Sequence, residues 1–401
     1  MITRLCNNCG LEYGECTCSK KENMKDFVSY EEAIEFLEKA SDEEVDEIVK
    51  EFSHLHSHTK YSLSDALIKP SEAAKTASKF GMKSMAITDH GVLFGIMDFY
   101  KACKREGVKP VIGMETDVAP SLNTDKEVKD KANYHLVLLA KDNEGLDNLY
   151  KIASDAAVNG FYYRARTDKE KLRMFSKGLI ASSACMASEV NRALSINEYE
   201  AAKHIALEYQ DIFGKGNFFL EIMDHDIPDE TKIIPSIIRL SRETGIPLLC
   251  TNDNHYLKPE DSEVHDILMA IQDKKVMSDP SRRTYGTTQL YFKSQQDMWD
   301  LFGDVAPEGL INSALIARRC NVDIKFGVTK LPKFTVPKSF NMTNEEFLLD
   351  LCFKGAKQNY GEITKEIRDR IEYEVNVVTN MGYVDYFLIT WDFFRFCMYG
   401  T

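Results

Sequence analysis

SMAITDHGVLFGIMDFYKACKREGVKPVIGMETDVA, residues 84–119, decides the fold. SMAITD and VKPVIGMETDV are apolar runs that read as buried strands. LFGIMDFYKACKREG between them reads as a helix that closes on Gly107. The stretch before it, PSEAAKTASKFG, shows the same theme: proline at the first helical turn (Pro70) and Gly81 at the end. Further strand-like runs follow: YHLVLLA, GLIASSA, NFFLEIM and IPLLCTND, with helix-like stretches such as IPSIIRLSRETG between them. Strand–helix alternation from about 51 to 290 predicts a parallel α/β fold, and six or more units favour a closed barrel.

A parallel barrel carries its active site at the C-terminal ends of its strands. Most of the strand-like runs here are followed there by a metal-ligand residue type. FSHLHSHTKYSLSDA (52–66) holds His54, His56, His58 and Asp65. The others supply Asp89 and His90, Glu115, His135, Cys185, and Asp253 with His255. In a strand, residues i and i+2 share a side, so His56-x-His58 and Asp253-x-His255 can each present two ligands to one cation. Singly, each of these is an ordinary turn, cap or core residue. Together, His56, His58, Asp65, His90, Glu115, His135, Cys185, Asp253 and His255 are nine donors of mixed nitrogen, oxygen and sulfur character. Such a set suits zinc, manganese or iron rather than calcium, and is sized for about three divalent metals. Clustered metals activate a water and neutralise a leaving alkoxide, so phosphoester hydrolysis is the natural reaction. Asp89 and His225 are candidate proton-shuttling or supporting groups.

Residues 1–24 form a Cys-rich extension, a candidate zinc knuckle in which Cys6, Cys9, Cys16 and Cys18 could wrap one structural zinc. Residues 25–50 read as two acidic amphipathic helices, capped by Ser29 with Glu32 and by Ser41 with Glu44, and are expected to be a docking or regulatory appendage. Net charge is −13, of which residues 22–51 carry −9. The remainder is mild enough for local basic patches to meet nucleic acid. Two stretches mix aromatics with cations as strand-tracking surfaces do: FYYRARTDKEKLR, with Arg164 and Arg166, and SRRTYGTTQLYFKS, with Arg282, Arg283 and Lys293. No apolar run approaches a membrane span and no signal peptide is evident, so a cytoplasmic location with ten reduced or metal-bound cysteines is expected.

From about 326 the character changes. LPKFTVPKSF is a Pro-bearing extended linker, NEEFLLDLCFKGAKQNYG and KEIRDRIEYEVNVVTNMG are helical, and YVDYFLITWDFFRF has ten apolar or aromatic residues in fourteen. That density suits a buried element and predicts a less stable C-terminal region that needs a companion polypeptide.

HLHSHTKYSLSDA, AITDHGVLFGIMDFYKACKREGVKPVIGMET, YHLVLLAKDNEGLDNLYKI, FFLEIMDHDIP, TNDNHYLKPEDSEVHDILMAIQ and MGYVDYFLITWDF closely resemble the alpha subunits of bacterial DNA polymerase III, the C-family of replicative polymerases. The resemblance implies a polymerase and histidinol phosphatase (PHP) domain over 51–325, a distorted seven-stranded α/β barrel, followed by an incomplete, mostly helical palm start over 326–401. It carries the family's metal ligands onto the nine residues above and leaves His54 as a supporting residue. It implies a metal-dependent 3′–5′ proofreading exonuclease acting on single-stranded DNA at a primer 3′ end. The glycine-rich loop and palm aspartates of the family would lie beyond residue 401, so polymerisation is not expected from this chain alone. Implied partners are DNA, the remaining polymerase polypeptide with the palm, and replisome subunits such as a sliding clamp. The competing readings are a small-molecule phosphoesterase of the histidinol phosphatase type, and a non-enzymatic docking domain that keeps metals for stability.

Overall fold

The computed structural model describes residues 26–127, 132–327 and 331–400. Cys6, Cys9, Cys16 and Cys18 lie outside the described residues. The chain divides into two compact units, one up to Asp323 and one from Ile324 onward.

The first unit is a curled sheet wrapped by helices. Its strands are β1 (Ser84–Ile87), β2 (Lys109–Val118), β3 (Tyr134–Ala140), β4 (Arg166–Thr167), β5 (Leu179–Ser182), β6 (Phe218–Ile222) and β7 (Leu248–Cys250). Spatial order is β1-β2-β3-β5-β6-β7, with the short β4 paired to β2. The β1–β2, β5–β6 and β6–β7 pairs are parallel. β3 is antiparallel to both neighbours, so the all-parallel expectation fails at this strand.

The His-x-His segment is not a regular strand, but it joins the two sheet edges. On one side the Ala86 and Thr88 amides donate to the carbonyls of His54 (2.7 Å) and Ser57 (2.9 Å). On the other the His58 amide donates to the Asn254 carbonyl at 2.9 Å, just past β7. The segment thus serves as the closing stave.

One face of each strand explains both core and site. Ala86, Val111, Val137, Leu139, Ile180, Phe219 and Leu249 form one buried cluster with Leu55, and Ile316, Ala317 and Cys320 join it from the end of helix Pro307–Arg319. Two or four residues along the same strand faces stand Glu115, His135 and Glu221, while His90 and Asp253 lie in the loops just past β1 and β7. Because β3 runs backwards, its ligand type precedes its apolar run, and Asp117 opposes His135 in register.

Helix Pro228–Thr244 begins at Pro228, well before the helix-like stretch IPSIIRLSRETG. Pro235 lies inside the helix, and Gly245 ends it with φ 70°. Helices Tyr30–Lys39 and Asp42–Glu51 both carry the capping boxes read from Ser29 and Ser41. They are not a free appendage. Val28, Ala33, Phe36 and Ile48 are buried against Ile311 and Leu315, and the Val28 amide donates to Asn312 Oδ1 at 2.8 Å. Their acidic faces are what the solvent sees.

The second unit packs helices Asn344–Tyr360, Lys365–Asn380 and Val384–Tyr399 around Phe347, Leu348, Val384 and Leu388. Asp385 accepts from the Phe334 amide (3.2 Å) and from Asn344 Nδ2, which pins the extended linker to the last helix. Tyr386, Phe387, Phe393, Phe394 and Phe396 are exposed. The aromatic density is therefore only partly buried within this unit.

Candidate metal centre

The structure brings all nine ligand-type residues together. Glu115, in the second half of β2, is the hub. Its carboxylate lies 2.6 Å from His90 Nδ1, 2.9 Å from His135 Nδ1, and 3.4 Å from both His56 Nε2 and His58 Nε2. Cys185 Sγ stands 3.4 Å from His135 Nδ1 and 3.8 Å from Glu115. Asp253 Oδ1 is 3.3 Å from His56 Nε2 and 3.1 Å from His58 Nε2. Asp65 Oδ2 sits between His90 Nε2 (2.7 Å) and His255 Nε2 (3.0 Å).

Several of these residues are placed by uncommon backbone. Asp253 has φ 43°, Ala184 before Cys185 has φ 55°, and Ser64 before Asp65 has φ 61°. Left-handed non-glycine residues are costly and gather at functional sites.

The donor set tests well against a cation. Glu115 Oε2 and Asp253 Oδ1 are buried with no hydrogen-bond partner, although imidazole nitrogens lie within 3.4 Å of both. A buried carboxylate oxygen without a donor is expensive. Close approach without hydrogen-bond alignment is what ligands around an ion look like. Three overlapping trios have ligand atoms within 4.8 Å of one another: His58, His90, His255; His56, His58, Glu115; and His90, Glu115, His135. Five imidazoles, three carboxylates and a thiol fit zinc, manganese or iron.

Without cations the cluster is held by internal ion pairing. Burial opposes charge on His56, yet Asp253, Glu221 and Glu115 hold its pKa well above the ordinary imidazole value. Burial also opposes charge on Glu115, but His135, His90 and His56 keep its carboxyl well below the usual range. His58 goes the other way: burial, with His90 beside it, lowers it to about 3.

The supporting residues set which nitrogen faces inward. Asp89 accepts from the Thr59 amide (2.6 Å), Thr59 Oγ1 (2.8 Å) and Ser62 Oγ (2.8 Å). Ser62 is thereby left to accept from His58 Nδ1 at 3.0 Å, turning Nε2 toward the cluster. Burial lifts Asp89 to about 6. Glu221 was missed from sequence. It is fully buried and faces His56 Nδ1 at 3.0 Å. Its signal was a lone carboxylate inside the apolar run NFFLEIM.

Other expectations need correction. His225 touches none of the nine. Its Nδ1 faces Glu230 (3.0 Å) and its Nε2 the Asn252 carbonyl (2.9 Å), so both ring nitrogens are committed to holding a loop. His54 is a core residue between Phe52 and Phe292, hydrogen-bonded to the Lys293 carbonyl, and burial lowers it to about 4. Arg166 is buried and donates to the carbonyls of Gly160, Asn123 and Asp125, so it offers nothing to DNA. Lys293 is likewise buried, donating to Asn252 Oδ1 at 2.9 Å. Arg282 pairs with Asp266 at 2.5 Å and is mostly covered. Arg164 and Arg283 are about half exposed, at 47% and 46%. Both line the cavity of about 550 Å3 that opens onto Asp65, His90, His135, Cys185, Asp253 and His255. Among the described residues no helix is long and apolar enough to cross a membrane.

Residues 54–225 match the family described as the PHP domain, and residues 346–399 match that described as the bacterial DNA polymerase III alpha NTPase domain. Asp253 and His255 join the cluster from beyond the first match. The DNA polymerase III subunit alpha of Borreliella burgdorferi is 41% identical over 348 residues, covering 86% of this chain and 30% of that protein. That of Treponema pallidum is 39% identical over 344 residues, covering 85% and 29%. The chain spans about three-tenths of the length of these relatives. An amidohydrolase from Chromobacterium violaceum overlaps 51% of this chain and 87% of its own at 16% identity, with a TM-score of 0.36. With a PHP domain, a second matched segment and this identity along most of its length, the chain belongs to the family of bacterial DNA polymerase III alpha subunits.

Proposed function

We propose that the first unit is a metal-dependent phosphodiesterase that removes nucleotides from the 3′ end of single-stranded DNA, as a proofreading exonuclease within a larger polymerase. The orphaned, buried Glu115 Oε2 and Asp253 Oδ1 among imidazole nitrogens carry this reading. His56, His58, Glu115, Asp253, His90, Asp65, His255, His135 and Cys185 would hold about three divalent cations at four to five donors each. When bound, the cations supply Lewis acidity to a phosphoryl oxygen and make a water ionise near neutral pH. The chain's own residues do the rest. Glu221 and the Asp89–Ser62 pair orient His56 and His58. The cavity would receive the scissile phosphate beside the cluster, and Arg164 and Arg283 on its lining would meet the neighbouring backbone phosphates. DNA, the rest of the polymerase polypeptide and replisome subunits such as a sliding clamp are the proposed partners. A structural zinc at Cys6, Cys9, Cys16 and Cys18 remains part of the proposal.

The test is release of the 3′ nucleotide from 5′-labelled single-stranded DNA in manganese, beside an Asp253→Asn, His255→Ala double variant. The wild type is expected to shorten the strand and the variant not to. Equal shortening by both would show a contaminating nuclease and overturn the reading.

A further inference from the structure

The mouth of the metal-site cavity is lined by rings as well as cations. Tyr61, Phe161, Tyr163 and Tyr285 line the same cavity as Arg164 and Arg283. Phe161 and Tyr163 are 57% and 67% exposed, unusual for large aromatics with no core to fill. Tyr163 holds φ 63° at the tip of a tight turn closed by the Tyr162–Arg164 bridge, with the Tyr162 amide donating to the Arg164 carbonyl at 3.0 Å. A bulky non-glycine residue is seldom left-handed, so this turn presents the ring at a cost. The turn is anchored from below. Arg166, two residues on, is locked to three backbone carbonyls and stacks over Tyr162 with 5.2 Å to the ring centroid. Arg164 Nη1 reaches to 4.0 Å from Asp117 Oδ2, and Asp117 Oδ1 is 3.5 Å from His135 Nε2. The rim is thus linked through Asp117 to His135 of the cluster.

We infer that this rim is a stacking subsite for unpaired nucleobases: Tyr163 and Phe161 take the faces of the last bases of a single strand, while Arg164 and Arg283 take its phosphates. The inference deepens the proposed exonuclease and rests on that reading. A cavity of about 550 Å3 is of the size that takes one drug-sized molecule, so it would admit about one nucleotide and leave its neighbours on the rim. Stacking is indifferent to sequence because every base has a π-face. It is not indifferent to pairing: a base inside a duplex already has both faces covered. The rim would therefore favour frayed or mismatched ends over paired ones.

The experiment uses the whole chain and fluorescence anisotropy with 5′-labelled oligothymidylate, either intact or abasic at its last two 3′ positions. The variants are Tyr163→Asn, which removes the ring and suits a left-handed backbone, Tyr163→Phe, which keeps the ring, and Arg164→Ala. Wild type should bind the intact strand roughly tenfold or more tighter than the abasic one. Tyr163→Asn should lose most of that difference with unchanged melting temperature, and Tyr163→Phe should retain it. Arg164→Ala should weaken both strands equally and flatten the salt dependence. Equal wild-type affinity for the two strands, or a Tyr163→Asn variant that still discriminates, would overturn the subsite. Binding with base discrimination but no strand shortening would instead overturn the exonuclease reading and keep the rim.

Discussion

Replacing Glu221 by Gln alters one atom of a carboxylate that touches no solvent. Glu221 accepts from Ser182 Oγ, the Ala184 amide (3.3 Å), Thr251 Oγ1 (2.6 Å) and faces His56 Nδ1 at 3.0 Å. With the carboxylate in place, Glu221 holds the proton on His56 Nδ1, which leaves Nε2, on the side of Glu115 and Asp253, as the nitrogen that would give up its proton to a metal. An amide group has only one accepting oxygen. An NH2 in place of Oε1 would face Ser182 Oγ and the Ala184 amide, and one in place of Oε2 would face Thr251 Oγ1 and His56 Nδ1; the backbone amide cannot turn away, which favours the second placement. If the ring gives way, its proton moves to Nε2 and blocks the nitrogen proposed to bind metal. Loss of such an orienting partner costs roughly 10–100-fold in metal affinity, about 1.4–2.7 kcal/mol. Titration calorimetry with zinc or manganese measures the affinity, and the melting temperature in chelator measures the fold. The expected outcome is a weakened metal with a folded protein. Affinity within twofold of wild type would refute both the orienting role of Glu221 and the ligand role of His56.

Arg166→Met should destabilise the barrel by about 3 kcal/mol, because three buried carbonyls lose a charged donor, whereas Arg164→Ala should be nearly neutral; urea unfolding of both separates the core arginine from the rim arginine. Burial raises Glu308 to about 7 from the ordinary glutamate value of 4.5, so the stability linked to its neutral form is complete below pH 4.5 and lost as pH rises through 7. Glu308→Gln should therefore gain up to about 3 kcal/mol at pH 8.5 and almost nothing at pH 4.5; a pH-independent difference between variant and wild type would dismiss the effect. Dilute trypsin should cut first at exposed Lys333 or Lys338, in the extended segment before helix Asn344–Tyr360, and first cuts inside the barrel would contradict the two-unit division.

Strands were legible because each is a short apolar run with nothing else to become, and the six runs read from sequence are β1, β2, β3, β5, β6 and β7. Direction was not. A run such as YHLVLLA reads the same either way, and pairing direction comes from partners distant in sequence. The one clue was that His135 precedes its run while Glu115 and Asp253 follow theirs. The basic stretches misled for a related reason. FYYRAR shows aromatics and cations but not the turn at Tyr163, which sends Arg164 to the rim and Arg166 into the core. The lone carboxylate of Glu221 in NFFLEIM marks it as unusual, but its role lies in a contact with His56, 165 residues away, which no local pattern shows.

The same alternation that fills the barrel also builds the site. Val111 and Glu115, Val137 and His135, and Phe219 and Glu221 are same-face pairs in which the first residue packs the floor and the second points into the site. A one-residue register slip would move both members of every pair to the outer face. The cost of the floor leaving its apolar neighbours therefore guards the placement of the carboxylates, which are costly where they stand. Metal binding would offset that cost from above, since anything bound only by the folded state adds stability. The cluster does not depend on it entirely: His56 and His90, kept protonated by the carboxylates around them, offset part of the buried negative charge. A barrel built this way can fold before it is loaded, and the geometry its ligands then offer is set by its hydrophobic floor.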